Sequence, residues 1–321
     1  MQPGENKLQQ AGEAVNKKKS RAALLSVASN SVLVLLKLAV GLGIGSVSVI
    51  SEAIHSGVDL LAAVIAFIAV RKSGKPADRH HPFGHGKVEN ISGSVEAMLI
   101  FLAAAWIILE ALRKLMNPEP LEAAGWGVMV MLLSASANIF VSRRLFQVGK
   151  ETDSLALQAD AWHLRTDVYT SAGVMAGLLI IIAGRLLVPG VNLSWVDPVA
   201  AMVVAALIIK AAYELTVQSA RDLLDVCLPP EDERAIRRCI QSFGPAVRGY
   251  HHLRTRKSGP YRFVEFHLLV DATMTVDEAH RIAEVMADAI RGRCPGTTAT
   301  IHIEPCNGAC PSSPPENSHA G

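Results

Sequence analysis

Six long apolar stretches limit what this chain can fold into more than any other feature it has. A helix needs about 20 mostly apolar residues to cross the hydrocarbon core of a bilayer. Six segments approach that length: about Ala22 to Leu42, Ser46 to Val70, Glu89 to Leu115, Trp126 to Phe146, Leu155 to Leu187 and Trp195 to Val217. None is free of polar residues, and the longer ones can tilt or reach into water. The chain is 50% hydrophobic and only 19% charged, a balance that suits a membrane protein with a soluble appendage.

Charge placement sets the expected orientation. A polar stretch ending in "NKKKSR" precedes the first span, which has no small-residue cleavage pattern, so no cleavable signal is expected. Lys17, Lys18, Lys19 and Arg21 precede span one; Arg71, Lys72, Lys75, Arg79 and Lys87 follow span two; Arg143, Arg144 and Lys150 follow span four. The other side holds only Arg113, Lys114 and Arg185. Cytoplasmic loops carry the excess of basic residues, which predicts a multi-pass protein of the cell (inner) membrane with both termini in the cytoplasm. The net charge of +2 comes with no nucleic-acid motif, and no nucleic-acid partner is expected.

Beyond the last span the pattern changes. "PPEDERAIRRCIQSFG" has a helical period, and "YHHLRTRKSGPYRFVEFHLLV" reads as two strands around the turn "KSGP". "TVDEAHRIAEVMADAIRGRCPG" is an amphipathic helix, and "TATIHIEP" is a last strand. The expected organisation is a tail over 1–20, a six-helix transmembrane domain over 21–220, an αββαβ domain over 228–306, and a disordered tail over 307–321. All five cysteines lie after the last span, in a compartment expected to be reducing, so a disulfide framework is not expected; the "CNGAC" pair, close to an expected disordered end, is read as two free thiols, with a soft-metal site as the alternative.

Three clusters carry chemistry. In "SEAIHSGVD" of span two, His55 and Asp59 are four residues apart and share a helix face. Span five repeats the spacing with His163 and Asp167 in "DAWHLRTD". Two such helices offer two imidazoles and two carboxylates, the four tetrahedral ligands that zinc prefers. An ionised Asp at mid-membrane costs about 2.5–3.5 kcal/mol on insertion scales, a burden that a divalent cation offsets. Glu52 and Asp160, each three residues before one of these histidines, are placed to orient it.

The second cluster is Asp78, His80, His81 and His85 in the loop "KPADRHHPFGHGKVEN". The third lies in the αββαβ domain: His251 and His252 open one strand, His267 lies in the next, His280 is on the helix, and His302 and Glu304 share a face of the last strand. There is no HExxH and no nucleophile with a base beside it, so no enzyme is expected.

On these residues the chain resembles the cation diffusion facilitator family, six-span exporters of divalent metals with a cytoplasmic metallochaperone-like domain. "GSVSVISEAIHSGVD", "HPFGHGKVEN", "ADAWHLRTD", "LRTRKSGPYRF" and "TIHIEPC" resemble its characteristic stretches in order, over about Ala22 to Cys306. The nearest likeness is to the bacterial zinc and iron efflux branch, whose members form homodimers.

The resemblance implies a membrane α-helical fold ending in a ferredoxin-like αββαβ domain, and proton-coupled efflux of a divalent cation, Zn2+ first, with Fe2+ (or cadmium or manganese) as the rival cargo and a non-transporting metal-sensing membrane scaffold as the alternative class. It implies a transport site of His55, Asp59, His163 and Asp167, and a loop site of Asp78, His81 and His85 that leaves out His80. It further implies a two-metal site at the dimer interface from His251, His267, His280 and His302, with Glu304 where relatives have aspartate, and an ion pair of Lys87 with Asp225. Position 55 is histidine where the bacterial relatives carry aspartate, a pattern the resemblance associates with zinc. Arg165 has no counterpart in it.

Overall fold

The structure is a computed structural model of the chain, and it describes residues 3–44, 47–116, 125–187 and 195–306. The chain divides into two compact units, Met1–Ala220 and Arg221–Gly321.

Six long helices build the first unit: α1 (Pro3–Ile44), α2 (Val47–Ser73), α3 (Lys87–Met116), α4 (Gly125–Glu151), α5 (Leu155–Leu187) and α6 (Val196–Leu223). Among the described residues, four segments are long and apolar enough to cross a membrane unaided: Glu13–Gly43, Ala53–Ser73, Lys87–Met116 and Pro198–Leu223. Helices α4 and α5 match them in length, at 27 and 33 residues. Helix α1 differs from the expected span because it continues back through the basic cluster to Pro3. Lys, Arg, Glu and Gln are good helix formers, so nothing in that stretch breaks the helix where the apolar run begins.

The unit turns apolar side chains outward and polar ones inward. Leu35, Leu61, Trp106, Phe140 and Leu207 are more than half exposed, whereas Lys19, Lys37, Glu89, Glu96, Asp160 and His163 are buried. That surface suits hydrocarbon rather than water. Helix α5 is central, packing against α1, α2, α3 and α4. One core joins Ala22, Ala69, Leu145, Leu157 and Leu164, and another joins Ala97, Ile100, Ala159, Ile208 and Leu215. Small residues let such helices approach closely. A Cβ on Gly93 would lie 2.8 Å from Ser219 Oγ, which brings α3 and α6 together at that glycine.

At one end of the bundle, Lys19 of α1 donates to the carboxylate of Glu89 of α3, and both side chains are fully buried. Ser73 Oγ donates to the same carboxylate at 2.6 Å, and Ser154 Oγ donates to its other oxygen. One carboxylate thus ties α1, α2 and α3 to the start of α5.

The second unit has the expected αββαβ order: α7 (Pro230–Gln241), β1 (Gly249–Ser258), β2 (Tyr261–Asp271), α8 (Val276–Arg293) and β3 (Thr297–Cys306). Three acids, Glu231, Asp232 and Glu233, occupy the first turn of α7, where the helix dipole favours negative charge. Strands β1 and β2 are antiparallel, joined by a tight turn in which Gly259 has φ +57°. Strand β3 runs parallel to β2 on its other side. Ile236 and Ile240 of α7, Phe266 and Leu268 of β2, and Met286 and Ile290 of α8 form the core.

Helix α8 opens with a capping box: Thr275 Oγ1 accepts from the Glu278 N–H at 3.3 Å, and Glu278 Oε2 accepts from the Thr275 N–H at 3.0 Å. Thr275→Ala is expected to lower the stability of this unit by about 1 kcal/mol, read as a shift of the urea midpoint with an unchanged slope.

Cys227, Cys239 and Cys294 are free thiols. Cys306, the last residue of β3, is disulfide-bonded, which corrects the expectation of a free thiol there. That expectation rested on redox compartment, whereas a disulfide depends on whether the chain brings two sulfurs to bonding geometry. The remainder of the "CNGAC" pair and the expected disordered tail lie outside the described residues.

Candidate metal centre

The two HxxxD motifs meet across α2 and α5 in a crossed pairing. His163 Nε2 lies 3.1 Å from Asp59 Oδ1, and His55 Nε2 lies 3.9 Å from Asp167 Oδ1. Each histidine therefore faces the carboxylate of the other helix. Ligand atoms of His55, Asp59 and Asp167 fall within 4.8 Å of one another. Asn138 Nδ2 of α4 donates to Asp167 Oδ2 at 3.5 Å. His163 and Asp59 are buried at 5% exposure each, while the His55 side chain is 53% exposed, so the constellation is closed at one end and open at the other. A cavity of about 120 Å³ adjoins it, lined among others by Asn30, Lys37, His55, Asp59, Asn138 and Asp167.

Two expectations about supporting residues resolve differently. Asp160 is fully buried but makes no hydrogen bond to His163, whose Nδ1 has no partner either. This corrects its reading as the residue that orients His163: a spacing of three puts two residues on one helix face without bringing their atoms into contact. The side chain of Glu52 lies outside the described residues.

Lys37 escaped the sequence reading. It is buried at 3% exposure, and its Nζ donates to Ser56 Oγ, between His55 and Asp59 in the chain, at 2.7 Å. The available signal was a lone lysine inside "VLVLLKLAV", since an ionisable residue in a span marks a functional site by default. Arg165 now has a contact: its guanidinium stacks over Phe146 of α4 at 4.1 Å and lies 5.8 Å from the ring centre of Trp162.

In the loop after α2, Asp78 gathers the other residues of its cluster. Its Oδ1 accepts from the N–H groups of His80 and His81 at 2.9 and 2.7 Å, and it lies 3.3 Å from His81 Nδ1. Its Oδ2 lies 3.3 Å from His85 Nε2. The backbone hydrogen bond from His81 is the main cause holding this carboxyl below the usual range. Gly84, at φ +81°, makes the turn that returns His85 to Asp78. The His80 imidazole is not in the cluster, whose three ligand atoms come from Asp78, His81 and His85.

In the second unit the sheet register does the assembling. His251 pairs with His267, and His267 pairs with His302, so three histidines stand in a row across the three strands. Glu304 joins them: its two oxygens lie 2.9 Å from His251 Nε2 and 2.7 Å from His267 Nδ1, with His302 Nε2 at 3.6 Å. His251, leading, and His267 hold the Glu304 carboxyl below its ordinary range. Its ion pairs therefore stabilise the unit above the unfolded carboxyl value, and that contribution is lost as pH falls through the lower folded one.

His252, named with the cluster from sequence but left out of the two-metal site that the resemblance implies, sits at a bulge with φ +52°, and its ring lies 4.7 and 5.1 Å from those of His251 and His267. His280 stands apart on the exposed face of α8, 3.5 Å from Glu284. Two imidazoles and a carboxylate within 4.8 Å suit a divalent transition metal. Glu304→Gln, which would remove one of the three candidate ligand groups, is expected to weaken divalent-metal binding here by at least about 10-fold, the lower end of what loss of an outer supporting residue costs. Calorimetry with the cytoplasmic unit measures it.

The comparisons agree with this division. The model of the "Cation efflux transmembrane domain" matches residues 23–224, and that of the "Cation efflux protein, cytoplasmic domain" matches residues 228–306. The chain is 35% identical over 284 residues to an uncharacterized transporter, sll1263, of Synechocystis, covering 88% of this chain and 89% of that one. It is 34% identical over 291 residues to the cation-efflux pump FieF of Klebsiella pneumoniae, covering 89% and 92%. FieF of Escherichia coli is 33% identical over 293 residues, covering 90% and 93%. Among solved structures, the zinc form of CzrB is 43% identical over 25% of this chain and 90% of that one, with a TM-score of 0.23. Two family models that together reach from residue 23 to residue 306, and full-length relatives above 30% identity, place the chain in the cation efflux family, the cation diffusion facilitators, which are divalent-cation transporters and not enzymes.

Proposed function

We propose that the chain exports Zn2+ from the cytoplasm in exchange for protons, through a site of His55, Asp59, His163 and Asp167. The observation that carries this reading is the crossed His–Asp pairing of α2 and α5 beside a polar cavity in an apolar bundle. Two imidazoles and two carboxylates suit tetrahedral zinc. Binding requires neutral imidazole and ionised carboxylate, so loading releases protons and protons from the far side displace the cargo. Alternating access of the site to the two sides completes a cycle.

The surrounding proposals follow the same lines. The protein sits in the inner membrane with both termini in the cytoplasm, as the basic flanks favour, and works as a homodimer. The exposed position of His280 fits a partner-facing site. Metal bound at His251, His267, His302 and Glu304 favours whichever dimer state binds it better, and the loop site of Asp78, His81 and His85 is a second cytoplasmic binding point.

Flux into proteoliposomes, comparing zinc, ferrous iron, cadmium and manganese with and without a pH gradient, tests this reading. Zinc should move fastest and dissipate the gradient. Faster ferrous iron would overturn the choice of cargo, and zinc flux indifferent to the gradient would overturn proton exchange.

A further inference from the structure

Near the start of β1, Tyr250 and Leu253 both belong to the core of the second unit, although residues three apart in a regular strand point to opposite faces. The register accounts for it. His251 pairs with His267 and Arg254 with Glu265, so His252 and Leu253 together stand opposite the single residue Phe266. The extra residue is His252, at φ +52°. Such a bulge re-aims a side chain, and this one carries the His252 ring to 4.7 Å from that of His251 and 5.1 Å from that of His267.

A non-glycine residue in the left-handed region is strained, and such strain gathers at functional sites. His252 is exposed, so its ring fills no core. Gly or Asn would make the same turn more easily. What histidine adds there is an imidazole beside three ligand groups, those of His251, His267 and Glu304, whose atoms lie within 4.8 Å of one another. The strand order β1-β2-β3 puts His252 on one side of His267 and His302 on the other. His302 reaches Glu304 from the β3 side, at 3.6 Å, and leaves the β1 side to His252.

We propose that His252 is a further ligand of this cluster, turning about its χ bonds to bind a divalent transition metal together with His251, His267 and Glu304. Three imidazoles and one carboxylate make four donors, the number that zinc takes. The added nitrogen favours zinc over manganese or magnesium, which oxygen donors suit better. The proposal rests on the reading of the cluster as a metal site, and adds a residue which that reading leaves out.

The test uses full-length protein carrying Asp59→Ala and Asp78→Ala, which disable the membrane cage and the loop, titrated with Zn2+ and with Co2+. His252→Gly in this background should lower zinc affinity at least about 10-fold, the lower end of what even an outer supporting residue costs. Its cobalt complex should lose the strong visible absorption of tetrahedral coordination. The unfolding midpoint of the metal-free protein should stay level or rise, because Gly accepts the positive φ. His252→Asn, which keeps the turn and a polar side chain, should bind as weakly as His252→Gly. Zinc affinity and cobalt absorption equal to the background's in both variants would overturn His252 as a ligand. A lower metal-free midpoint with unchanged affinity would mark it as a structural residue and overturn the proposal as well. In either case, zinc binding that His251→Ala abolishes leaves the cluster standing as a metal site. Absence of zinc binding in the background itself, or binding that His251→Ala leaves unchanged, removes the cluster and the proposal together.

Discussion

Asp59→Ala is expected to lower the affinity of the transport site for zinc by more than about 100-fold, the upper end of what outer supporting residues contribute, and to stop zinc transport. Asp59 is buried at 5% exposure and lies 3.1 Å from His163 Nε2, so the change removes one proposed ligand and the contact that holds a second. Asp59→Asn keeps the shape and a hydrogen bond to the imidazole but removes the charge, and should fail nearly as badly. Calorimetry on protein that also lacks His251, His267, His302 and Glu304 confines the measurement to the membrane site and the loop. Parent-like affinity in Asp59→Ala would remove the crossed pairing from the account.

The second large effect is on stability. Lys19→Ala is expected to destabilise the bundle by about 3 kcal/mol, the lower end of the range for removing one partner of a buried ion pair. The lower end applies because Ser73 and Ser154 still donate to Glu89. Lys19→Met with Glu89→Gln should recover most of the loss, since it leaves no uncompensated charge. Unfolding of the purified protein by a denaturing detergent reads both. A Lys19→Ala protein within about 1 kcal/mol of the parent would mean that the pair is solvated.

That lysine also shows where the sequence stopped being legible. By sequence Lys19 is one of the basic residues of "NKKKSR" that precede span one and set its orientation, yet its side chain is fully enclosed. Only a helix running back to Pro3 carries it to Glu89. Lys37 was overlooked for the converse reason: the apolar run around it defines a span, and what it meets depends on how α1 leans on α2.

The HxxxD spacing was legible because a period of 3.6 places residues four apart on one helix face. It could not show which histidine meets which carboxylate, since that depends on how two helices pack. The αββαβ order was readable from turns and periodicity, and alternation put His302 and Glu304 on one face. The row of His251, His267 and His302 is a fact of strand register, which no single strand encodes. Arg165 had no account from sequence because its contact partner, Phe146, lies on another helix.

The most direct test of the central claim is zinc flux into proteoliposomes under an inward-to-outward pH difference, for the parent and for Asp167→Ala. Asp167 faces His55 and is held by Asn138, and it lies far in sequence from both other histidine clusters. The account predicts rapid zinc entry with matching proton movement for the parent, and flux at the level of empty vesicles for Asp167→Ala. Zinc movement by Asp167→Ala at the parent's rate would contradict it.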